Sequence, residues 1–355
     1  MCPSLVFQDN MSIICKSMQV RHFPEVDYIE EEGIVTGAQD NNLPWYLDRI
    51  DQSKLPLDYL YNPIGDGSGV DVYVLDTGIS YQHGEFEFRA KYGGYDAVDE
   101  YEQTVRKGSD CHGHGTYVAS LCGGSIYGAA KRVTLFSIRV LTCNNTAPLS
   151  VILNGLDYVA RVVQQRHRPT IVLLSFEGSI HHTINDAIAS ITTNQGVLVI
   201  TAAGNGRVNS CTVSPASSQH AVTVGATREG EWLYLSGTGT NYGSCVDIFA
   251  PGESILAADA QCQNCSKYSS GTSVAAALVS GVAAVYLSQQ PLLTPAELKQ
   301  KLIDESVKNI IDFTGIPHYY ESQTPNRFLH VPGECLHFHL TCIDCDLPFM
   351  GLFAA

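Results

Sequence analysis

Four short segments of the chain hold the residue types that acyl transfer needs: Asp76-Thr77-Gly78, His112-Gly113-His114-Gly115-Thr116, Thr201-Ala202-Ala203-Gly204-Asn205-Gly206 and Gly271-Thr272-Ser273. A hydroxyl is a poor nucleophile until a base takes its proton, and an imidazole does this best when a carboxylate fixes its tautomer. Ser273, His114 and Asp76 supply these three types. The amide of Asn205 supplies a donor for the oxygen that turns negative when a carbonyl is attacked. Ser273 opens a long apolar segment, which places it beside the unpaired N–H groups and the positive end of a helix. Taken singly, each residue has a plainer reading: serine caps a helix, Asp-Thr-Gly ends a strand, and an asparagine after glycine makes a turn. Capping and turn formation give no reason for the set to occur in this order on one sheet. Zinc bound by Cys111, His112 and His114 is the competing chemistry, but the acidic partner and spacing of a zinc helix are missing.

Elements able to position these residues are legible around them. Val70-Asp71-Val72-Tyr73-Val74-Leu75 is largely β-branched and apolar and runs into Asp76. It is predicted to be a buried parallel strand with a carboxylate at its C-terminal end, where the functional groups of open α/β sheets collect. Similar strands are predicted over 134–140, 171–176, 197–201 and 221–224, with helical periodicity over 150–165 and 183–194. Strand and helix alternate, so the fold class is α/β, with a mostly parallel sheet and helices on both faces. Val274 to Leu287 is small or apolar on every side, the pattern of a helix through the middle of a large domain. Thr294-Pro295-Ala296-Glu297 has the cap, first-turn proline and glutamate of a helix start.

With 355 residues the chain has room for one large domain with appendages, and its balance of apolar and polar residues excludes disorder. A net charge of -15 argues against nucleic acid or an anionic membrane as partner. No uninterrupted apolar run of about 18 residues is seen, so no membrane span is expected. The first ten residues lack the basic and apolar regions of a signal peptide. Twelve cysteines nevertheless point to an oxidising compartment. Sequons at Asn10, Asn144 and Asn264 fit a secretory route. A secreted or extracellular protein whose leader lies outside this chain reconciles these signals.

Val74-Leu75-Asp76-Thr77-Gly78, Gly113-His114-Gly115-Thr116, Ala202-Ala203-Gly204-Asn205 and Gly271-Thr272-Ser273 resemble the signature segments of subtilisin-like serine proteases. Ser214-Pro215-Ala216-Ser217, Val222-Thr223-Val224-Gly225-Ala226 and Asp247-Ile248-Phe249-Ala250-Pro251-Gly252 resemble the proteinase K branch. The placement of Cys143, Cys245 and the Cys262/Cys265 pair is most similar to that of proprotein convertases of subtilisin/kexin type 9. The likeness runs from about Met18 to about Val331.

The resemblance implies a subtilisin-like three-layer fold in a serine endopeptidase. Asp76 would orient the imidazole, His114 serve as base and acid, Ser273 attack, and Asn205 hold the oxyanion. It implies no cofactor for the chemistry, and disulfides pairing Cys111 with Cys143, Cys211 with Cys245, and Cys262 with Cys265. A structural calcium ion is implied at the Asp247 carboxylate and the carbonyls of Gln219 and Ala221, a hard oxygen set; an aspartate without an ion is an equal reading. Cys122, in an apolar helix, reads as a buried thiol. The substrate would lie between Ser175-Phe176-Glu177-Gly178 and the segment around Asn145. Glu177 replaces a small residue where a peptide backbone must come close, and Pro148 has no N–H to offer it, so broad peptidase activity is in doubt.

The implied organisation is a truncated inhibitory prosegment and linker over 1–39, a catalytic domain over 40–331, and a short tail over 332–355. An autoprocessing cut would fall between Gln39 and Asp40. The tail, with Cys335, His337, His339, Cys342 and Cys345, reads as a truncated linker to a further module ahead of a zinc knuckle, whose spacing it lacks. Two functions follow. One is a zymogen-derived endopeptidase acting on peptides or proteins, with its own prosegment as inhibitor. The other is a protein that cuts only itself and then binds a receptor or other partner.

Overall fold

The stretch ahead of Asp76 is a strand, β1 (Asp71–Asp76), buried at every residue. Val72 and Val74 enter one core while Tyr73 and Leu75 enter another. This is the two-residue period of a sheet covered on both faces. The structure is a computed structural model that describes residues 43–333. The prosegment, the Gln39–Asp40 bond, the Asn10 sequon, Cys2, Cys15 and the cysteines and histidines of the tail lie outside the described residues.

After β1 the strands are β2 (Ala90–Asp96), β3 (Thr134–Arg139), β4 (Thr170–Leu174), β5 (Gly178–Ser179), β6 (Leu198–Ala202), β7 (Val213–Ser214), β8 (Ala221–Thr227), β9 (Ile248–Pro251), β10 (Ile255–Ala258), β11 (Ser266–Ser269), β12 (Val307–Lys308) and β13 (Arg327–Phe328). Helices α1 (Trp45–Ile50), α2 (Ala97–Glu102), α3 (His114–Gly123), α4 (Leu149–Arg166), α5 (His182–Gln195), α6 (Thr272–Gln289), α7 (Pro295–Asp304) and α8 (His318–Glu321) lie among them. Nine strands form one sheet in the order β12-β13-β9-β8-β6-β4-β1-β3-β2. Every neighbouring pair is parallel except β12 with β13. β1 lies between β3 and β4, and the later strands β6, β8 and β9 add outward from β4. The strand order therefore reverses at β1, and Asp76 sits at the C-terminal end of that switch point, where open α/β sheets place their clefts.

Helices cover both faces, as expected. One core takes side chains of α1, α3, α6 and α7 and the other those of α2, α4 and α5. On α4 the buried Ile152, Leu156, Val159 and Val163 follow the three-to-four residue spacing of one helical stripe. α6 is different, being buried without interruption from Thr272 to Leu287. By length and composition it could cross a membrane, contrary to the sequence expectation that no run qualifies, but most of it is enclosed by protein. It is the central helix of the fold. α7 starts as predicted: Thr294 Oγ1 accepts from the Glu297 N–H at 3.3 Å and Glu297 returns to the Thr294 N–H at 2.9 Å.

Candidate active site

The switch point brings β1 and the start of α3 into contact. His114 Nδ1 lies 2.8 Å and 3.0 Å from the two carboxylate oxygens of Asp76, with Asp76 fully buried and the His114 side chain 21% exposed. Asp76 accepts the Nδ1 proton, which leaves Nε2 with a lone pair toward the cleft. Glycines permit this approach. At Gly78 (φ +109°) a side chain would meet the backbone of Gly108 to Asp110, and at Gly115 one would meet the carbonyl of Gly78. Burial pulls the His114 pKa down. The charge of Asp76, the hydrogen bond to it and the charge of Asp110 outweigh that, so the ring titrates above its ordinary value although Lys267 opposes.

Asp110 escaped the sequence reading. Its carboxylate accepts from the N–H groups of His112 (2.9 Å), Gly113 (2.8 Å) and Thr116 (2.9 Å) and from the hydroxyls of Thr77 (2.9 Å) and Thr116 (2.6 Å). It thereby caps a helix whose own N-cap, Gly113, has no side chain. An acid just ahead of His-Gly-His was the available signal.

Ser273 comes to the same rim through helix packing. Tyr117, one turn into α3, donates to the carbonyl of Ile255 and lies 3.5 Å from that of Ser269, just ahead of α6. Further along, Gly281 packs where a side chain would meet the Cys122 carbonyl at 2.6 Å. α3 and α6 thus run side by side in the same direction, and eight residues back from Cys122 and Gly281 stand His114 and Ser273. Ser273 is 9% exposed, at the edge of the cleft.

Asn205 follows β6 and is tied to the same turn. Its Oδ1 accepts from the Thr272 N–H at 2.9 Å, and the Gly204 N–H donates to Thr272 Oγ1 at 3.1 Å. Above Gly271, the point where a side chain would begin is 3.3 Å from Ser273 Oγ and 3.7 Å from Asn205 Nδ2. Gly271 holds φ +149°, a conformation that side chains rarely adopt, and a side chain there would also press on Ser273 Oγ. With Oδ1 held by Thr272, the Nδ2 donor lies on the Gly271 side with Ser273 Oγ, where it and an unpaired first-turn amide of α6 are donor types suited to an oxyanion.

The two expected substrate segments, 175–178 and the stretch around Asn145, meet at one recess. Phe176, Glu177 and Gly178 line one apolar recess with Ala147, Leu149 and Ile152. Ser175 is buried behind it with its hydroxyl unpartnered, and Asn145 holds a turn at φ +58° with a buried, unpartnered Oδ1. Glu177 Oε1 accepts from the Asn205 N–H at 2.9 Å, and its other oxygen fills the space a side chain on Gly204 would need. That bridge to the oxyanion segment was not readable from local sequence.

Disulfides join Cys111 to Cys143, Cys211 to Cys245 and Cys262 to Cys265, the pairs the resemblance implies. Cys111 is therefore no metal ligand. Cys122 is buried and free, its pKa pushed up to about 12 by burial. The three groups of the calcium expectation meet a cation of the chain's own. Gln219 O, Ala221 O and Asp247 do converge, but on the ammonium of Lys299, which donates to Ala221 O at 2.6 Å and Asp247 Oδ2 at 2.8 Å and lies 3.5 Å from Gln219 O. These residues do not fit a calcium ion while Lys299 is present, because like charges cannot share three oxygens and calcium takes six to eight.

The model of the Subtilase family matches residues 67–327, and the chain belongs to that family of serine endopeptidases. Among solved structures the fold is similar to that of a cold adapted subtilisin-like serine proteinase, at a TM-score of 0.74 and 38% identity over 82% of this chain and 100% of that one. It is also similar to sphericase, at a TM-score of 0.70 and 23% identity over 83% of this chain and 100% of that one. The second likeness speaks for the fold alone.

Proposed function

We propose that Ser273, His114, Asp76 and Asn205 hydrolyse peptide bonds through an acyl-enzyme. The Ser273 hydroxyl passes its proton to His114 Nε2 as Oγ bonds to the carbonyl carbon, and Asp76 steadies the imidazolium. Asn205 Nδ2 and the Ser273 N–H hold the oxyanion. Collapse breaks the C–N bond, with the amine leaving on the His114 proton. Water then repeats the sequence and frees the acid. The observation that carries this reading is the 2.8 Å contact of buried Asp76 with His114 at the sheet's switch point. A fluorophosphonate probe should label the wild type, and Ser273→Ala should lose both label and peptidase turnover. Labelling that survives this change would overturn the assignment.

Further parts of the reading follow from the resemblance. They are a secreted enzyme of the proteinase K branch, with cysteines like those of proprotein convertases of subtilisin/kexin type 9. Its inhibitory prosegment spans 1–39, the catalytic domain 40–331 and a short tail 332–355, with self-cleavage after Gln39. The three disulfides suit an oxidising compartment. One observation favours the alternative, a protein that cuts itself once and then binds a receptor: the Glu177 carboxylate already occupies the Asn205 N–H beside the candidate nucleophile. Assaying added peptides against wild type and Glu177→Gly separates the two. The protease reading expects wild-type turnover, raised about tenfold by the glycine as roughly 1.4 kcal/mol of obstruction goes. No turnover by either protein favours the binder.

A further inference from the structure

We infer that Lys299 is a built-in replacement for a structural calcium ion: its ammonium holds Gln219, Ala221 and Asp247 together, and removing it unmasks a calcium site. Three N–H donors of one ammonium face two backbone carbonyls and one carboxylate, a match of donors to acceptors that needs no further ligand. The arrangement is fixed from both sides. Lys299 projects from the second turn of α7, whose start is pinned by the Thr294–Glu297 capping box. Asp247 Oδ2 also accepts from the Thr223 N–H at 2.9 Å, which sets the carboxylate against the edge of β8. The side chains of Lys299 and Asp247 are 24% and 19% exposed, so the pair is largely shielded from water. The ammonium therefore ties α7, the turn before β8 and the loop before β9 into one unit, which is the task of an ion at that spot.

The recess beside this pair is lined by Ser217, Ser218, Gln219, Ser244 and Asp247. Apart from Lys299 and the disulfide-bonded Cys245, every lining residue offers a side-chain oxygen. Taking away the ammonium would leave a carboxylate and two carbonyls aimed at one point, with room for water to complete the six to eight oxygens calcium requires. A substitution that destabilises the protein in chelator should thus create a calcium dependence the wild type lacks. This depends on the fold and on no step of catalysis.

The test is thermal unfolding in EDTA and in millimolar calcium chloride, with a serine-directed sulfonyl fluoride present to stop self-digestion. The wild-type midpoint should be the same in both. Lys299→Met should melt about 2–4 °C lower in EDTA and recover in calcium. Lys299→Met combined with Asp247→Asn should not recover. A variant that folds only with calcium supports the inference equally. It is overturned if calcium leaves Lys299→Met unchanged, or if calcium raises the wild-type midpoint and Asp247→Asn cancels that rise. The wild type and Asp247→Asn decide the matter even if Lys299→Met does not fold at all.

Discussion

The two ends of β1 carry the same side chain to different ends. Asp71 and Asp76 are both fully buried, five residues apart on one strand. Asp71 meets the guanidinium groups of Arg166 at 2.7 Å and Arg168 at 3.4 Å, whereas Asp76 meets His114 at 2.8 Å. A guanidinium keeps its charge at any working pH, so the first pairing is a fixed tie between the end of α4 and the sheet. An imidazole changes charge near neutrality, so the second can pass a proton. Arg139 stands beside Asp76 in the β1–β3 register, but its guanidinium is engaged by Asp96 at 2.8 Å and Asp99 at 2.7 Å. Asp76 is thereby left to the ring. Burial of a carboxylate does not make it functional; the partner does, together with the rim at which the strand order reverses.

The sharpest way to break this contrast is to neutralise each acid in turn. Asp76→Asn should lower kcat by about 10⁴-fold through loss of the required tautomer, the scale known for the equivalent change in a serine protease triad. Asp71→Asn should leave kcat at the wild-type level and lower the denaturant midpoint, costing about 1–3 kcal/mol. That range sits below the cost of breaking a fully buried pair because Arg166 and Arg168 are 36% and 37% exposed. Equal losses of turnover in the two variants would erase the distinction.

Asn205→Ala should act at the C-terminal rim alone, lowering kcat by about 10²–10³-fold with little change in KM, the range known for one such donor in subtilisin. A drop mainly in KM would instead make Asn205 a binding residue. The smallest effect sharpens the difference between ring and guanidinium. His114 must be neutral to act as base, and its pKa is raised, so kcat/KM should climb with pH along a limb centred above about 6.5. Lys267→Met removes a cation that lowers this pKa, and the limb should move to higher pH, while Asp71→Asn leaves it in place. A limb that moves the other way would contradict the electrostatics of the site.

What could be read beforehand was whatever depends on neighbours along the chain. The alternation in Val72-Tyr73-Val74-Leu75, the apolar run of α6 and the Thr294–Glu297 cap are local steric and hydrogen-bonding matters, and each formed as expected. The residue types for acyl transfer were equally plain. Partners joined across long stretches were not. Asp110 accepting from Thr77, Glu177 bridging to Asn205 and Lys299 standing in an ion's place involve residues whose separation is set only when helices settle on the sheet. Pattern alone therefore determined the layers and the chemistry on offer in this protein. Only the packed fold decided which acid faces a ring and which a guanidinium, and which cation three converging oxygens hold, because those choices rest on distances that no local preference encodes.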